Sequence, residues 1–253
     1  MGRRLGQHFL ARKSILNRIA EAACGERVPL VIEIGPGKGA LTESLLERAD
    51  RVVAIEVDTV LVHYLRQHFR EAVAEGRLEL IEGDVLRTEL SQWGSDPSNV
   101  AIAGNLPYYI TSPILERVFT AAGQWSRAAF LVQAEVAARI AAGPGGRDRG
   151  YLSVMTEVYS TAEVLLEVPR TAFHPPPKVD SAVVKLIPHD PPVADVADFL
   201  RFAGVCFRHK RKTLRNNLAE LYGRDKVDGI VTGRERAEQL SLDALVSLYD
   251  RLR

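Results

Sequence analysis

Four consecutive residues near the middle of the chain, Asn105-Leu106-Pro107-Tyr108, have the types needed to hold a nucleobase amine for reaction. Such an amine is a poor nucleophile because its lone pair is delocalised into the ring, and acceptors on both N–H bonds localise that pair. The Asn105 side-chain oxygen is one acceptor, and the Leu106 carbonyl, held extended before proline, is a second. Tyr108 offers an aromatic face for a base flipped out of its stack. An ordinary Asn-x-Pro turn is the plainer interpretation.

Short apolar runs alternate with helical patterns before these residues. The runs cover residues 30–34, 52–55, 78–81 and 100–103, and helical patterns cover 40–49 and 59–74. This alternation is typical of βαβ units and predicts a parallel sheet covered by helices. Ser14 and Ser112 are expected to cap further helices. After the proline-rich stretch at 188–192 only helical patterns follow, which predicts a first domain over 1–188 and a helical domain over 193–253.

The first apolar run ends in a glycine-rich turn, Glu33-Ile34-Gly35-Pro36-Gly37-Lys38-Gly39. Glycines such as Gly35 and Gly37 let a ligand approach the backbone closely. Glu56 ends the second run, where a carboxylate accepts hydrogen bonds from both hydroxyls of a ribose. Asp84 ends the third and is placed to accept from the amine of an adenine. Because the carboxyl ends of parallel strands share one edge, the set predicts a site for an adenosine-containing cofactor.

Other interpretations of these residues are open. A glycine turn can be a tight corner, and an acid after a strand can be a solvated helix cap. A dinucleotide oxidoreductase would use similar residues, but the spacing is G-x-G-x-G rather than G-x-G-x-x-G. Pro36 also removes an amide donor that a pyrophosphate needs. A sulfonium cofactor needs no phosphate site, so the pattern favours S-adenosylmethionine.

Taken together, these motifs resemble the ribosomal RNA adenine N6,N6-dimethyltransferase family, most closely its bacterial small-subunit (16S) branch. The similarity covers nearly the whole chain. It includes Gly6-Gln7-His8-Phe9-Leu10, residues 133–139, residues 150–155, residues 173–184 and residues 211–218. The resemblance implies an α/β fold, a Rossmann-like S-adenosylmethionine-dependent methyltransferase sheet with helices on both faces, followed by a small all-helical, RNA-binding C-terminal domain.

The resemblance also implies roles for single residues. The expected contacts to S-adenosylmethionine are His8, Leu10, Gly35, Glu56, Asp84 and Asn105, with Gly37 in the same turn. The segment Asn105-Leu106-Pro107-Tyr108 would orient the target adenine, and Phe173 would be a second aromatic wall across from Tyr108. Plainer alternatives are a histidine packed under the amino-terminal segment for His8 and a core residue before a proline loop for Phe173.

The implied reaction is dimethylation of N6 on two adjacent adenines in the 3′-terminal hairpin of 16S rRNA, with a role in ribosome biogenesis. One alternative is the sister family that methylates large-subunit rRNA and confers macrolide resistance, although residues 176–184 look like the small-subunit version. Another is a ribosome assembly factor without needed activity. The intact acidic strand ends and the intact Asn105 segment argue against lost catalysis.

Two basic groups are candidates for contact with RNA phosphates. One comprises Arg208, Lys210, Arg211, Lys212 and Arg215, and the other Arg3, Arg4, Arg12, Lys13 and Arg18. Such clusters bind nucleic acid through counterion release and with little sequence preference. A solvated helix face is the plainer interpretation of a charge run.

Composition limits the remaining possibilities. The chain has 253 residues, of which 46% are hydrophobic and 26% charged, and its net charge of +1 means that any RNA surface must be local. The two cysteines lie far apart without metal-ligand spacing, so we expect no disulfide and no metal site, and a reducing cytoplasm. No apolar leader or membrane-length run is present in the sequence. A monomer is the default expectation.

Overall fold

The computed structural model describes residues 8–10, 12–93, 96–231 and 233–253. The strands are β1 (Phe9–Leu10), β2 (Val28–Ile34), β3 (Ala49–Glu56), β4 (Leu78–Glu82), β5 (Val100–Asn105), β6 (Arg127–Gln133), β7 (Ser160–Val168), β8 (Phe173–His174) and β9 (Ser181–Pro188). The α-helices are α1 (Lys13–Cys24), α2 (Ala40–Leu46), α3 (Thr59–His68), α4 (Arg70–Ala74), α5 (Thr111–Thr120), α6 (Ala134–Ile140), α7 (Tyr151–Tyr159), α8 (Val196–Cys206), α9 (Leu214–Tyr222), α10 (Arg224–Asp228) and α11 (Leu242–Leu252).

The main sheet has the strand order β4-β3-β2-β5-β6-β9-β7. Strands β4 to β6 in this order pair in parallel, and β9 pairs antiparallel with β6. Strands β2, β3 and β5 are almost wholly buried, which is the reason that their sequences are continuous apolar runs rather than alternating ones. The four predicted runs are thereby confirmed as neighbouring strands of one sheet flanked by helices.

Two predicted helix caps are wrong. Helix α1 begins at Lys13 with Arg12 at its N-cap position, and α5 begins at Thr111 after Ile110, so neither Ser14 nor Ser112 caps its helix. Burial of an apolar stripe, rather than a side-chain cap, holds α1 against the sheet. Its buried residues are Ile15, Leu16, Ile19, Ala20, Ala23 and Cys24.

Backbone contacts divide the chain into two compact units. The first comprises the described residues up to Ala137 together with Ala162–Pro188, and the second comprises Ala138–Thr161 and His189–Arg253. The sequence predicts a first domain that extends to residue 188. In the structure, Ala138–Thr161 belong instead to the second unit, with the C-terminal helices. The reason is that Val154 of α7 is part of the apolar core of the C-terminal helices, and the buried Arg149 side chain donates to the Leu240 carbonyl at 3.0 Å.

Among the helices in the described ranges, none combines the length and apolarity that crossing a bilayer requires.

The end of β5 lies unusually close to β2. A β-carbon at Gly104 would be 2.7 Å from the Ile34 carbonyl oxygen and 3.1 Å from the Leu106 side chain. Only glycine permits this approach, which brings the residue after it, Asn105, to the end of the neighbouring strand. The requirement for glycine here is therefore one of space between two backbones.

We predict that Gly104→Ala lowers the free energy of unfolding by about 1–3 kcal/mol, because backbone rather than a flexible side chain must move to admit the methyl group. Urea denaturation measures the change. Gly123→Ala is the matched control, since a β-carbon there meets nothing within 4 Å. The control should change stability by less than about 0.5 kcal/mol. Equal effects of the two substitutions would contradict the close approach.

Candidate active site

A cavity of about 530 Å³ opens at the carboxyl ends of β2, β3, β4 and β5. This volume lies within the range of about 300–1,000 Å³ typical of small-molecule sites. Every residue predicted to bind a cofactor lines it. These residues are His8, Leu10, Gly35, Gly37, Glu56, Asp84 and Asn105, and Leu106, Pro107 and Tyr108 line the same cavity. The sheet therefore brings together residues that are almost one hundred positions apart in sequence.

Glu56 lies at the end of β3 and is 4% exposed. One carboxylate oxygen accepts from the amides of Val57 and Asp58, at 2.9 and 3.0 Å, and the other accepts from the amide of Gly37 at 3.1 Å. Burial raises the pKa of Glu56, and these backbone donors oppose that rise. The side chain thus ties the glycine turn to β3. Its Oε2 atom, which among the described residues accepts only from Gly37, retains a lone pair with which to accept from a ligand hydroxyl.

The glycine-rich turn is a left-handed corner between β2 and α2. Gly35 (φ 68°) donates its amide to the Ile55 carbonyl at 3.0 Å, and Gly39 (φ 84°) leaves no room for a side chain because Phe69 would be 2.4 Å from its β-carbon. Gly37 has its amide bonded to Glu56. Its amide therefore holds the carboxylate, and its φ of 59° lies in the left-handed region that favours glycine.

Asp84 follows β4 and lines the cavity, but it is also a cap. Its Oδ1 accepts from the Leu86 amide at 3.0 Å at the start of a short 3-10 helix. Two further hydrogen bonds stabilise this loop. Arg117 of α5 donates to the Thr88 carbonyl at 2.8 Å, and the Thr88 hydroxyl donates to the Asp84 carbonyl at 2.8 Å. The cap and the cavity position of Asp84 are compatible because the cap uses Oδ1. The other oxygen, Oδ2, faces Arg87 Nε in an exposed ion pair at 3.9 Å and accepts no hydrogen bond within the described residues.

Asn105 is the last residue of β5 and is half-buried. Its Nδ2 donates to the His8 carbonyl at 3.4 Å, a long hydrogen bond that leaves the Oδ1 atom as an acceptor. The amide of Leu106 is bonded to the Leu131 carbonyl on β6 at 3.0 Å, and Leu106 itself is buried. This part of the chain is therefore anchored to the sheet on one side and to the amino-terminal segment on the other.

Two contacts hold the Tyr108 side chain, one at its hydroxyl and one at its ring. Its hydroxyl is 2.6 Å from the Ser181 hydroxyl, and the His8 ring lies stacked beside its ring with a centroid distance of 6.0 Å. Burial raises the pKa of Tyr108, so the hydroxyl is neutral at physiological pH. His8 is itself held by a 2.8 Å hydrogen bond between its Nδ1 and the Pro175 carbonyl.

Phe173 is placed differently from the aromatic wall expected of it. Its side chain is 4% exposed, belongs to the apolar core that includes Leu10 and Val168, and does not line the cavity. The structure thus favours the alternative of a core residue before the proline loop. Its backbone nevertheless pairs with Leu10 in the small β1–β8 sheet, and Leu10 lines the cavity.

Glu33, for which the sequence predicts no role beyond its place before the glycine turn, is the most deeply buried carboxyl group of the cavity, 1% exposed. Thr42 of α2 donates to its Oε2 at 2.7 Å. Burial raises the pKa of Glu33 from 4.5 to about 8, and the neighbouring charge of Glu56 adds to that rise. The sequence signal for this buried carboxyl group is an acidic residue within the otherwise apolar strand β2.

The basic residues predicted to bind RNA are partly engaged within the protein. Arg215 forms a two-pronged ion pair with Asp228, and both Arg208 and Lys212 face Glu220. Lys210 and Arg211 are exposed.

In the amino-terminal group, Lys13 and Arg18 form exposed ion pairs with Glu47 and Glu21. Arg12 is exposed, and Arg3 and Arg4 lie outside the described residues.

Within the described part of the chain, no group of three or more histidine, cysteine or acidic residues is arranged to hold a metal ion.

Comparison with known proteins gives a consistent result. Residues 2–253 match the family described as Ribosomal RNA adenine dimethylase. A protein of Acidobacterium capsulatum named ribosomal RNA small subunit methyltransferase A is 43% identical over 98% of this chain and 90% of its own length. A protein of the same name from Pseudomonas fluorescens is 38% identical over 99% of this chain and 93% of its own.

Two solved structures are similar over almost the whole chain. A dimethyladenosine transferase from Plasmodium falciparum superposes with a TM-score of 0.79 at 26% identity, covering 95% of this chain and 96% of the other. The 23S rRNA methyltransferase ErmE superposes with a TM-score of 0.74 at 27% identity, covering 96% and 99%.

We predict that Glu33→Gln flattens the pH dependence of stability. Because the pKa of Glu33 is raised from 4.5 to about 8 on folding, the folded chain holds this proton more tightly than the unfolded chain. The resulting stabilisation is complete below the unfolded pKa and is lost as pH rises through the folded one. Glutamine keeps the shape and an acceptor for Thr42 but does not titrate. Urea denaturation between these two pKa values should show a steeper fall for the wild type.

Glu26→Gln is the control, since Glu26 is an exposed residue of the same unit. It should retain the wild-type slope. Parallel curves for the wild type and Glu33→Gln would show that Glu33 does not carry a raised pKa.

Proposed function

The chain belongs to the ribosomal RNA adenine dimethylase family and is a methyltransferase, and from that premise we propose that it dimethylates N6 of two adjacent adenines in the 3′-terminal hairpin of 16S rRNA. S-adenosylmethionine is the proposed methyl donor, and the small ribosomal subunit, in the cytoplasm, is the proposed partner. The observation that carries the proposal is that Asn105, Leu106 and Tyr108 line the same cavity as Glu56 and Asp84. The proposed base-orienting segment and the proposed nucleoside-binding edge thus line one cavity.

The donor set of the cavity fits the proposed cofactor. Glu56 is a fixed carboxylate whose Oε2 can accept from a ribose hydroxyl. Asp84 Oδ2, which faces Arg87 at 3.9 Å, can accept from an adenine amine. Gly35, Gly37, His8 and Leu10 complete the proposed contacts. When bound, S-adenosylmethionine supplies a methyl group on a cationic sulfur. Neither a phosphate site nor a metal is needed for this chemistry.

The residues of the chain would act by positioning the adenine. Asn105 Oδ1 and the Leu106 carbonyl accept from the amine and draw its lone pair out of conjugation with the ring, and Pro107 keeps that carbonyl in place. Tyr108 supports the face of the base. No general base is required, because the proton is lost to solvent once the amine has become cationic. Fixed dipoles at the reacting atom therefore account for the catalytic effect.

The second aromatic wall stays a proposal. For Phe173 to contact the base, its ring would have to leave the core in which it is buried. Tyr108 with the adjacent His8 ring is the aromatic surface that already borders the cavity.

The choice of RNA is supported by the relatives. Those at 43% and 38% identity carry the small-subunit name, whereas the structure named for 23S rRNA is 27% identical. The large-subunit alternative is therefore the weaker one. A non-catalytic assembly factor is disfavoured because the predicted cofactor and base contacts other than Phe173 converge on one cavity. A monomer with phosphate contacts from the basic groups completes the proposal.

The decisive experiment incubates the protein with labelled S-adenosylmethionine and unmethylated small subunits, unmethylated large subunits or naked 16S rRNA, followed by mapping of the modified base. We expect label on N6 of two adjacent adenines of the small subunit. Asn105→Ala should lower the rate by ~10²-fold or more, as expected for the loss of a preorganised polar contact. Label on the large subunit, or a wild-type rate for Asn105→Ala with unchanged folding, would contradict the proposal.

We predict that Tyr108→Ala weakens transition-state stabilisation by roughly 1–3 kcal/mol, the scale of one base–aromatic stack. Tyr108→Phe keeps the ring and loses only the hydrogen bond to Ser181, so its single-turnover rate should remain close to that of the wild type. Ser181→Ala removes the same hydrogen bond from the other side and is the matched control. If Tyr108→Phe is as slow as Tyr108→Ala, the hydroxyl rather than the ring face is the functional group.

A further inference from the structure

Residues 208–212, which lie between α8 and α9, are termed the basic connector. It is held to α9 by Asn217, whose buried Nδ2 donates to the Cys206 carbonyl at 2.8 Å and to the His209 carbonyl at 3.3 Å. The Lys212 amide closes a turn on the His209 carbonyl at 3.0 Å. The connector therefore has a defined backbone shape, although its side chains are exposed.

Three side chains of the basic connector converge on one carboxylate of α9. Glu220 lies 2.8 Å from Lys212 Nζ, 3.6 Å from Arg208 Nη1 and 3.8 Å from His209 Nε2. The hydrogen bond from Lys212, together with the nearby charges, lowers the pKa of Glu220, so the carboxylate is ionised at neutral pH. A single carboxylate thus faces three basic side chains, of which only Lys212 is at hydrogen-bond distance.

The other two cations of the basic connector are in a different state. In the part of the chain that the structure describes, Lys210 and Arg211 have no carboxylate at ion-pair distance. The connector thus contains two kinds of positive charge, one unpaired and one already facing an internal anion.

A phosphodiester resembles the Glu220 carboxylate in the features that matter for these donors. It has two unesterified oxygens that share one negative charge, and Arg and Lys bind it through the same charge-assisted hydrogen bonds. Exposed ion pairs contribute little net stability, so exchanging one anion for another costs little. The arrangement around Glu220 is therefore suited to a replaceable anion.

We propose that Arg208, His209 and Lys212 form a binding site for a single RNA backbone phosphate and that Glu220 occupies this site in the free protein as an intramolecular competitor. The inference rests on the proposed RNA substrate. Lys210 and Arg211 contact phosphates without competition, whereas Arg208 and Lys212 do so only when Glu220 is displaced. The competition lowers the affinity for an RNA phosphate by the modest free energy of the ion pairs that must be broken.

The test is equilibrium binding of a fluorescein-labelled RNA hairpin with two adjacent adenines in its loop, measured without S-adenosylmethionine over a series of salt concentrations. Glu220→Gln should bind about 3-fold to 10-fold more tightly than the wild type at low salt, the scale of two exposed ion pairs released. Glu235→Gln is the matched control, because it removes the same charge from an exposed position of the same unit. It should leave the affinity within about 2-fold of the wild type, because among the described residues the connector cations that form ion pairs pair with Glu220 and not with Glu235.

A double-mutant cycle assigns the gain to this site. Replacing both Arg208 and Lys212 by glutamine should cost more affinity in the Glu220→Gln background than in the wild type, because only there are both cations uncompensated. Thermal unfolding confirms that the variants fold.

Three results would overturn the inference: equal affinities for Glu220→Gln and Glu235→Gln, weaker binding by Glu220→Gln, or an additive cycle. If any of these occurs while the wild type methylates small subunits, this inference alone fails. If Glu220→Gln binds RNA more tightly but the wild type transfers no methyl group to small subunits, the proposed function fails and this inference stands.

Discussion

The geometry of the site depends on how the Glu56 carboxylate is held. It is buried at the end of β3 and accepts hydrogen bonds from three backbone amides, one of which belongs to Gly37 on the preceding turn. These amides supply the compensation that a buried charge requires. In doing so they fix the turn after β2 relative to the end of β3. The hydrogen bonds that stabilise the buried Glu56 carboxylate therefore also shape the wall of the cavity.

The rest of the cavity is assembled from segments far apart in the chain. Gly104 admits the end of β5 next to β2, and Asn105 then reaches the carbonyl of His8, 97 residues earlier. His8 is bonded in turn to Pro175, 167 residues later. Each contact is a single hydrogen bond of modest net value, but together they close one side of the cavity. Preorganisation of this kind suits a reaction in which positioning replaces acid–base catalysis.

Charge is organised differently in the second unit. A run of positive residues in a sequence suggests a uniform binding surface, yet Arg215 is paired with Asp228 and two cations of the basic connector face Glu220. Coulomb attraction between exposed groups is weak in water, so such pairs exchange readily for other anions. The surface proposed to bind RNA therefore depends on which carboxylates lie beside the cations.

The sequence by itself determined the parallel sheet, the glycine turn and the acidic strand ends, because these depend on local periodicity and on the rule that parallel strands end at one edge. It also singled out residues 105–108 as the segment proposed to orient the base. Only the tertiary structure decided the state of Glu33, the burial of Phe173 and the helix starts without serine caps. Desolvation, core packing and long-range hydrogen bonds depend on residues brought together by the fold, and no local pattern records them.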